Sequence, residues 1–172
     1  NGINIEPNVT LHKAFLNLRK RDMNLNIWVG PDSGDSLDFY VIQPDTLSTF
    51  DAKSAKQYEA EWHSILSVEK VPIISLDEVF GKYVWEKHVD FISIDTEWYD
   101  MQVLQSNDWK KNRPDFVILE TLEYKRNGNW EKLNATYDGF FESHQYSKFA
   151  DTYINTIYVS SEAMDTYKIS KE

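Results

Sequence analysis

Three short apolar runs in this sequence each stop at an acid, and a carboxylate in such a place can accept hydrogen bonds from hydroxyls or take a proton from one. Ile3-Asn4-Ile5 ends at Glu6-Pro7, Val89 to Ile94 ends at Asp95-Thr96-Glu97, and Phe116-Val117-Ile118-Leu119 ends at Glu120. The runs have the length of strands, and β-branched and aromatic residues are frequent in them. In open parallel sheets ligands bind outside the carboxyl ends of the strands, so residues just past a strand end face a site more often than residues elsewhere. If the three strands are parallel neighbours, Glu6, Asp95 and Glu120 gather on one rim. Glu97 has an equally good structural reading, because acids at a helix N-terminus complement the macrodipole and cap free N–H groups.

The elements that must position these acids follow from periodicity. After Asp95, the residues Trp98, Met101, Val103 and Leu104 fall near helical spacing with Thr96 as N-cap, so strand, acidic turn and amphipathic helix make one βα unit around a buried strand. Pro7 forbids continuation of the first strand, and Leu11, Ala14, Phe15 and Leu18 then follow helical spacing. Leu25 to Val29 reads as the next apolar run, closed by the turn cluster Gly30-Pro31-Asp32-Ser33-Gly34. Leu37, Phe39 and Val41 alternate toward Pro44, and Ala52 to His63 reads as a helix or an ordered flap. Ile65 to Ile74 is extended, and Pro72 within it predicts an edge or irregular strand. Ser75 and Glu78 have capping-box spacing. Tyr137 to Ser143 reads as a short helix, and Tyr146 to Thr152 with Ile154 to Val159 as an antiparallel hairpin turning near Asp151 to Tyr153.

The chain of 172 residues fits one domain, 1–172, with 41% hydrophobic and 27% charged residues, a globular composition long enough to bury a core. A net charge of −10 without a basic cluster argues against nucleic acid as a partner. Zero cysteines exclude disulfides, thiolate metal sites and a cysteine nucleophile. Together with no run long enough to span a membrane and no signal-peptide pattern, this points to a cytoplasmic protein without membrane attachment. Asn8-Val9-Thr10 and Asn134-Ala135-Thr136 match the glycosylation triplet, which arises often by chance. His88 lies at the start of its strand, away from the acids, and His12, His63 and His144 have no evident partner, so none is given a catalytic role.

An acid that ends an early strand and precedes a helix is the arrangement that grips ribose hydroxyls of an adenosine-containing cofactor. With that in view, the order of motifs carries a resemblance. Ile5-Glu6-Pro7-Asn8, Val29-Gly30, Leu37-Asp38-Phe39-Tyr40-Val41, Ser75-Leu76-Asp77-Glu78, Asp90-Phe91-Ile92-Ser93-Ile94-Asp95-Thr96-Glu97, Val117-Ile118-Leu119-Glu120 and the hairpin around Asn155-Thr156-Ile157-Tyr158-Val159 together resemble the FkbM-type S-adenosylmethionine-dependent methyltransferases. The resemblance covers most of the chain. It implies an α/β fold with a Rossmann-like class I methyltransferase sheet, mostly parallel with a C-terminal antiparallel hairpin. It also implies S-adenosylmethionine as cofactor and O-methylation of a hydroxyl on a sugar or natural product. By the same resemblance Glu6 matches the acid that binds the cofactor ribose, and Gly30 the loop beside the adenine. Asp95 and Glu97 match the acidic motif near methyl donor and acceptor, either being the candidate base, and Glu120 is placed with Glu97 on the substrate. The expected partner is a small-molecule or glycan acceptor, with a homo-oligomer allowed.

Two departures from the family pattern accompany this. No glycine-rich loop precedes Glu6, so roughly 30 residues, one βαβ step including the first βα unit, are expected to be missing at the N-terminus. The expectation is then an altered sheet or a partner chain over the gap, and an intact seven-stranded sheet within this chain would refute it. Trp98 stands where the family usually has glycine, and an indole there reshapes or blocks the pocket. Two other readings of the same residues are a non-catalytic interaction module of methyltransferase fold and a carboxylate site holding Mg²⁺ or Mn²⁺ for phosphoester chemistry. No metal ligand set is assigned.

Overall fold

Pro7 ends β1 (Ile3–Ile5), and α1 (Val9–Leu18) follows under an Asn8 cap whose side chain accepts from the N–H groups of Thr10 and Leu11. The structure is a computed structural model that describes residues 1–172 apart from 32, 33, 35, 86, 97, 98, 125–129 and 170–172. It is a mixed α/β protein whose chain divides into two compact units, Asn1–Val79 and Phe80–Glu172.

In the first unit α1 leads to β2 (Met23–Leu25), which pairs with β1 in parallel. The single run expected over Leu25 to Val29 is instead two strands, because Asn26 turns its side-chain amide onto the carbonyls of Glu6 and Pro7 at 2.8 and 2.9 Å and breaks the extension. After it β3 (Trp28–Val29) joins a different sheet. That sheet holds β4 (Ser36–Gln43) and, after α2 (Ala52–Ala60), β5 (Ser64–Ile74), in the order β3-β5-β4. β5 is therefore central, not an edge. Pro72 is tolerated because it sits at a junction: the antiparallel ladder to β4 ends at Ser36 opposite Pro72, and the parallel pairing to β3 begins one residue later at Ile73. Phe39, Val41 and Val71 are buried on one face of this sheet, with Trp28 and Phe50 packed against them. The capping box forms as its spacing predicts, Glu78 N–H donating to Ser75 Oγ at 3.1 Å and Ser75 N–H to Glu78 Oε2 at 3.3 Å, and it starts α3 (Leu76–Val79).

The second unit opens with a π-helical turn over Phe80–Val84. Then come β6 (Phe91–Ile94), α4 (Asp100–Gln105), β7 (Phe116–Glu120), the short pair β8 (Leu122–Tyr124) and β9 (Trp130–Lys132), α5 (Asn134–Ser143), β10 (Tyr146–Asp151), β11 (Asn155–Ser160) and α6 (Ser161–Tyr167). Four strands form one sheet in the order β10-β11-β7-β6. β6 and β7 are parallel, and β11 runs antiparallel to both β7 and β10, so the C-terminal antiparallel hairpin forms where the sequence places it. β6 lies at the edge of that sheet and is only half covered, with Phe91 and Ser93 exposed and Ile94 buried. The parallel pairings β1–β2, β3–β5 and β6–β7 are accompanied by antiparallel ones at β4–β5 and β8–β9 as well as at the C-terminus, where alone the sequence reading placed them. Among the described residues the strands form sheets of two, four, three and two strands.

The core of the second unit shows why β7 and β11 take these places. Val117 and Leu119 alternate inward on β7, both fully buried, and Tyr158 and Val159 on β11 are each about as inaccessible. Phe141 of α5 lies on Tyr158 with ring centroids 4.0 Å apart and meets Trp109 and Tyr146 edge to face. This aromatic cluster packs α5 onto β10 and β11, and β11 pairs in turn with β7, which ends in Glu120.

Candidate functional site

Parallel pairing of β6 and β7 sets Ile94 opposite Leu119, so the next residue of each strand, Asp95 and Glu120, are neighbours. The Asp95 carboxylate lies close enough to act on Glu120. The expectation that these strands deliver their acids to one rim holds for this pair. Glu120 closes β7 half-buried, whereas Asp95 is exposed.

A third carboxylate joins them. Thr96 does not cap a helix starting beside it, as the periodicity predicted; α4 begins only at Asp100, and Thr96 donates instead to that residue. Its N–H and hydroxyl both reach Asp100 Oδ1, at 2.9 and 2.6 Å. Asp100 is buried, so the two donors satisfy a group that would otherwise be costly there. The result is a tight turn that holds the segment after β6 back against the start of α4. Sequence reasoning overlooked Asp100, although an acid in the first turn of a helix four residues after a threonine is a visible signal.

The electrostatics follow from this crowding. Burial raises the Glu120 pKa above the ordinary value of 4.5, and the charges of Asp95 and Asp100 push it the same way. Burial also raises Asp100, and Asp95 adds to this, while the two Thr96 donors pull it down. These influences keep the Glu120 proton to higher pH than an isolated glutamate would hold it.

Replacing that proton by an amide gives a direct check. A raised carboxyl contributes stability that is fully present below its unfolded pKa and is lost as pH rises through the folded value. Glu120→Gln keeps a donor toward Asp95 and carries no charge, so it escapes that loss. Thermal unfolding of this variant is expected to match wild type near pH 4 and to exceed it by about 1–3 °C at pH 7.5, since solvent screening at the half-open site keeps the effect below about 1 kcal/mol. An advantage that is the same at both pH values would contradict the assignment.

Beside Glu120 lies a concavity of about 240 Å³, lined by Glu120, Leu122, Trp130, Tyr153 and Ile154. Trp130 and Tyr153 keep more than half of their surface exposed, and Lys132 Nζ sits 5.9 Å from the Tyr153 ring centroid. Between Glu120 and Leu122, Thr121 is fully buried, donates its N–H to Ile154 O at 2.8 Å, and shares a hydroxyl contact of 2.8 Å with Thr156. An aromatic-walled hollow next to an acid is a shape that accepts a ring with hydroxyls on its edge.

Glu6 and Gly30 belong to the first unit. Glu6 N–H extends the β1–β2 ladder to Leu25 O at 3.1 Å, and Glu6 Oε1 accepts from Asn8 N–H at 2.7 Å. Burial raises its pKa, with the nearby Asp45 charge in the same direction and Asn8 and His12 opposing. Gly30 N–H is bonded to Ile74 O at 3.0 Å, and a Cβ there would meet only ordinary contacts, the nearest at 3.5 Å from Ile73 Cγ2 and Trp28 Nε1. Sterics do not demand glycine at that position. Glu97 and Trp98 fall outside the described residues.

A comparison with protein-family models finds one match, to the methyltransferase FkbM domain over residues 1–167. No curated protein and no solved structure matches the chain. No helix among the described residues is long and apolar enough to cross a membrane.

Proposed function

The chain belongs to the methyltransferase FkbM domain family, and from that membership we propose that it is an S-adenosylmethionine-dependent O-methyltransferase acting on a hydroxyl of a sugar or natural product. The observation that carries this reading is the Asp95–Glu120 pair at the carboxyl end of two parallel strands, with the aromatic-walled hollow beside Glu120. A Rossmann-like sheet is the arrangement we assign to the whole protein; the parallel β6–β7 pair followed by the antiparallel β11 and β10 supports it.

The residues present fit the cofactor's chemistry. Glu6 is fixed through its backbone and through Oε1 at the end of β1, which leaves Oε2 to accept from ribose hydroxyls. The Gly30 loop is assigned to the adenine, and Asp95 to the neighbourhood of the reacting groups. The cofactor supplies an electrophilic methyl group. Asp95 takes the proton from the acceptor hydroxyl, Glu97 and Glu120 orient the acceptor, and Trp130 with Tyr153 offers its ring a face.

Methyl transfer from isotopically labelled S-adenosylmethionine to a panel of monosaccharides, oligosaccharides and polyhydroxylated natural products tests the reading. A product carrying the label as a methyl ether is expected. Label appearing only on nitrogen or carbon would exclude O-methylation.

A further inference from the structure

We propose that His88, Asp90 and Asp115 form a binding site for a divalent transition-metal cation, zinc being the best fit, at the amino end of β6 and β7. This is the end opposite to Asp95 and Glu120, and the proposal does not rest on the methyltransferase reading. One imidazole nitrogen and two carboxylate oxygens, from three side chains, are the donor set that borderline cations such as Zn²⁺ and Co²⁺ accept, with remaining positions open to water.

Sequence and backbone bring the three together. His88 and Asp90 are two residues apart on the extended stretch that enters β6. That stretch is already paired with the start of β7: Asp115 N–H donates to Val89 O and Phe116 N–H to Asp90 O, both at 3.0 Å. The Asp115 carbonyl in turn accepts from Ser160 N–H at 2.9 Å, so the carboxylate projects from a backbone held on two sides. His88 Nε2 lies 2.9 Å from Asp115 Oδ2, and one ligand atom from each of the three residues falls within 4.8 Å of the other two. Asp115 is buried while His88 and Asp90 are exposed, which gives one fixed ligand and two that can adjust. Tyr167 OH donates to the same Asp115 oxygen at 2.7 Å, the kind of second contact that orients a metal-binding carboxylate.

A simple imidazole–carboxylate pair would need only His88 and Asp115. Asp90 adds a second carboxylate within 4.8 Å of the other two ligand atoms, and a cation among them would be attracted by both acids. Ligand atoms around a cation at about 2.0–2.2 Å stand roughly 3–4 Å from one another, so small rotations of the two exposed side chains complete the set. A bound cation would join the entries of β6 and β7 and, through Tyr167, the end of α6.

The test is titration of ZnCl₂ into the metal-free full chain at pH 7.5 by calorimetry, with Co²⁺ absorption as a second readout of a nitrogen–oxygen site. One equivalent is expected to bind and to raise the unfolding temperature. His88→Ala and Asp90→Asn should each weaken binding by at least the 10–100-fold, roughly, that losing a supporting residue around a metal costs. Asp90→Asn, at an exposed position, should keep the metal-free unfolding temperature, so weaker binding cannot be blamed on misfolding. His63→Ala, in the first unit, should bind as wild type. No binding, or binding unchanged in both His88→Ala and Asp90→Asn, overturns the proposal.

Discussion

Asp95→Asn is expected to lower the rate of methyl transfer by about 10²- to 10⁴-fold, the range that a positioned general base contributes. The asparagine has nearly the same shape and can still accept a hydrogen bond, but it cannot take a proton from an acceptor hydroxyl. Asp95 suits that role because it is exposed at the end of β6 and held beside Glu120 by the parallel register. The effect should appear in kcat, with the dissociation constant of the cofactor changed by only a few fold, because the side chain is removed from a proton transfer rather than from packing. A variant as active as wild type would move the base elsewhere, and a variant that loses cofactor affinity but keeps kcat would make Asp95 a binding residue.

Phe141→Ala should be the most destabilising single change among the aromatic residues of the second unit. Phe141 is fully buried, stacks on Tyr158 at 4.0 Å and touches Trp109 and Tyr146. Truncating a buried phenylalanine costs about 3–5 kcal/mol in transfer and cavity terms. In a chain of this size that corresponds to a fall in unfolding temperature on the order of 10 °C, measurable by calorimetry or near-ultraviolet circular dichroism. Leu and Met at the same position should recover most of it by refilling the volume. Loss of less than about 1 kcal/mol would mean that the α5 packing is not what holds β7 and β11 in place.

Much of this architecture was legible because the relevant signals are local. An apolar run that stops at an acid marks a strand end, and two of the three, at Asp95 and Glu120, become neighbours when their strands pair. The Ser75–Glu78 box and the hairpin before Asn155 are likewise encoded within a few residues. What escaped depends on which of several possible partners wins, near or far in the chain. Thr96 looked like a cap because its type allows one, but the buried Asp100 four residues on competes for its donors and wins. Pro72 looked like a mark of an edge strand, yet two ladders meet at that residue and neither needs its missing N–H. The run before Gly30 looked continuous until the Asn26 amide was seen bonded back to Glu6 and Pro7. His88 was set aside because it starts its strand away from the acids, and its contact with Asp115, 27 residues away, is not a local signal.

The acids singled out in the two units also differ in how each is held. Glu6 is committed through backbone pairing and the Asn8 N–H, so a change there should affect a ligand more than the fold. Asp100 is buried and bonded twice to Thr96, so a change there should affect the turn that carries Asp95. Under the proposed function, variants of the two acids separate cofactor binding, assigned to Glu6, from the geometry of the turn that carries Asp95.

The most direct measurement is calorimetric titration of the chain with S-adenosylmethionine, alongside Glu6→Gln. The account predicts saturable binding at one equivalent, weakened about tenfold or more in Glu6→Gln through loss of a charge-assisted hydrogen bond worth about 1.5–3 kcal/mol. Binding of equal strength in wild type and Glu6→Gln would contradict the assignment of Glu6, and no heat of binding to the wild-type chain would contradict the central claim that this chain holds that cofactor.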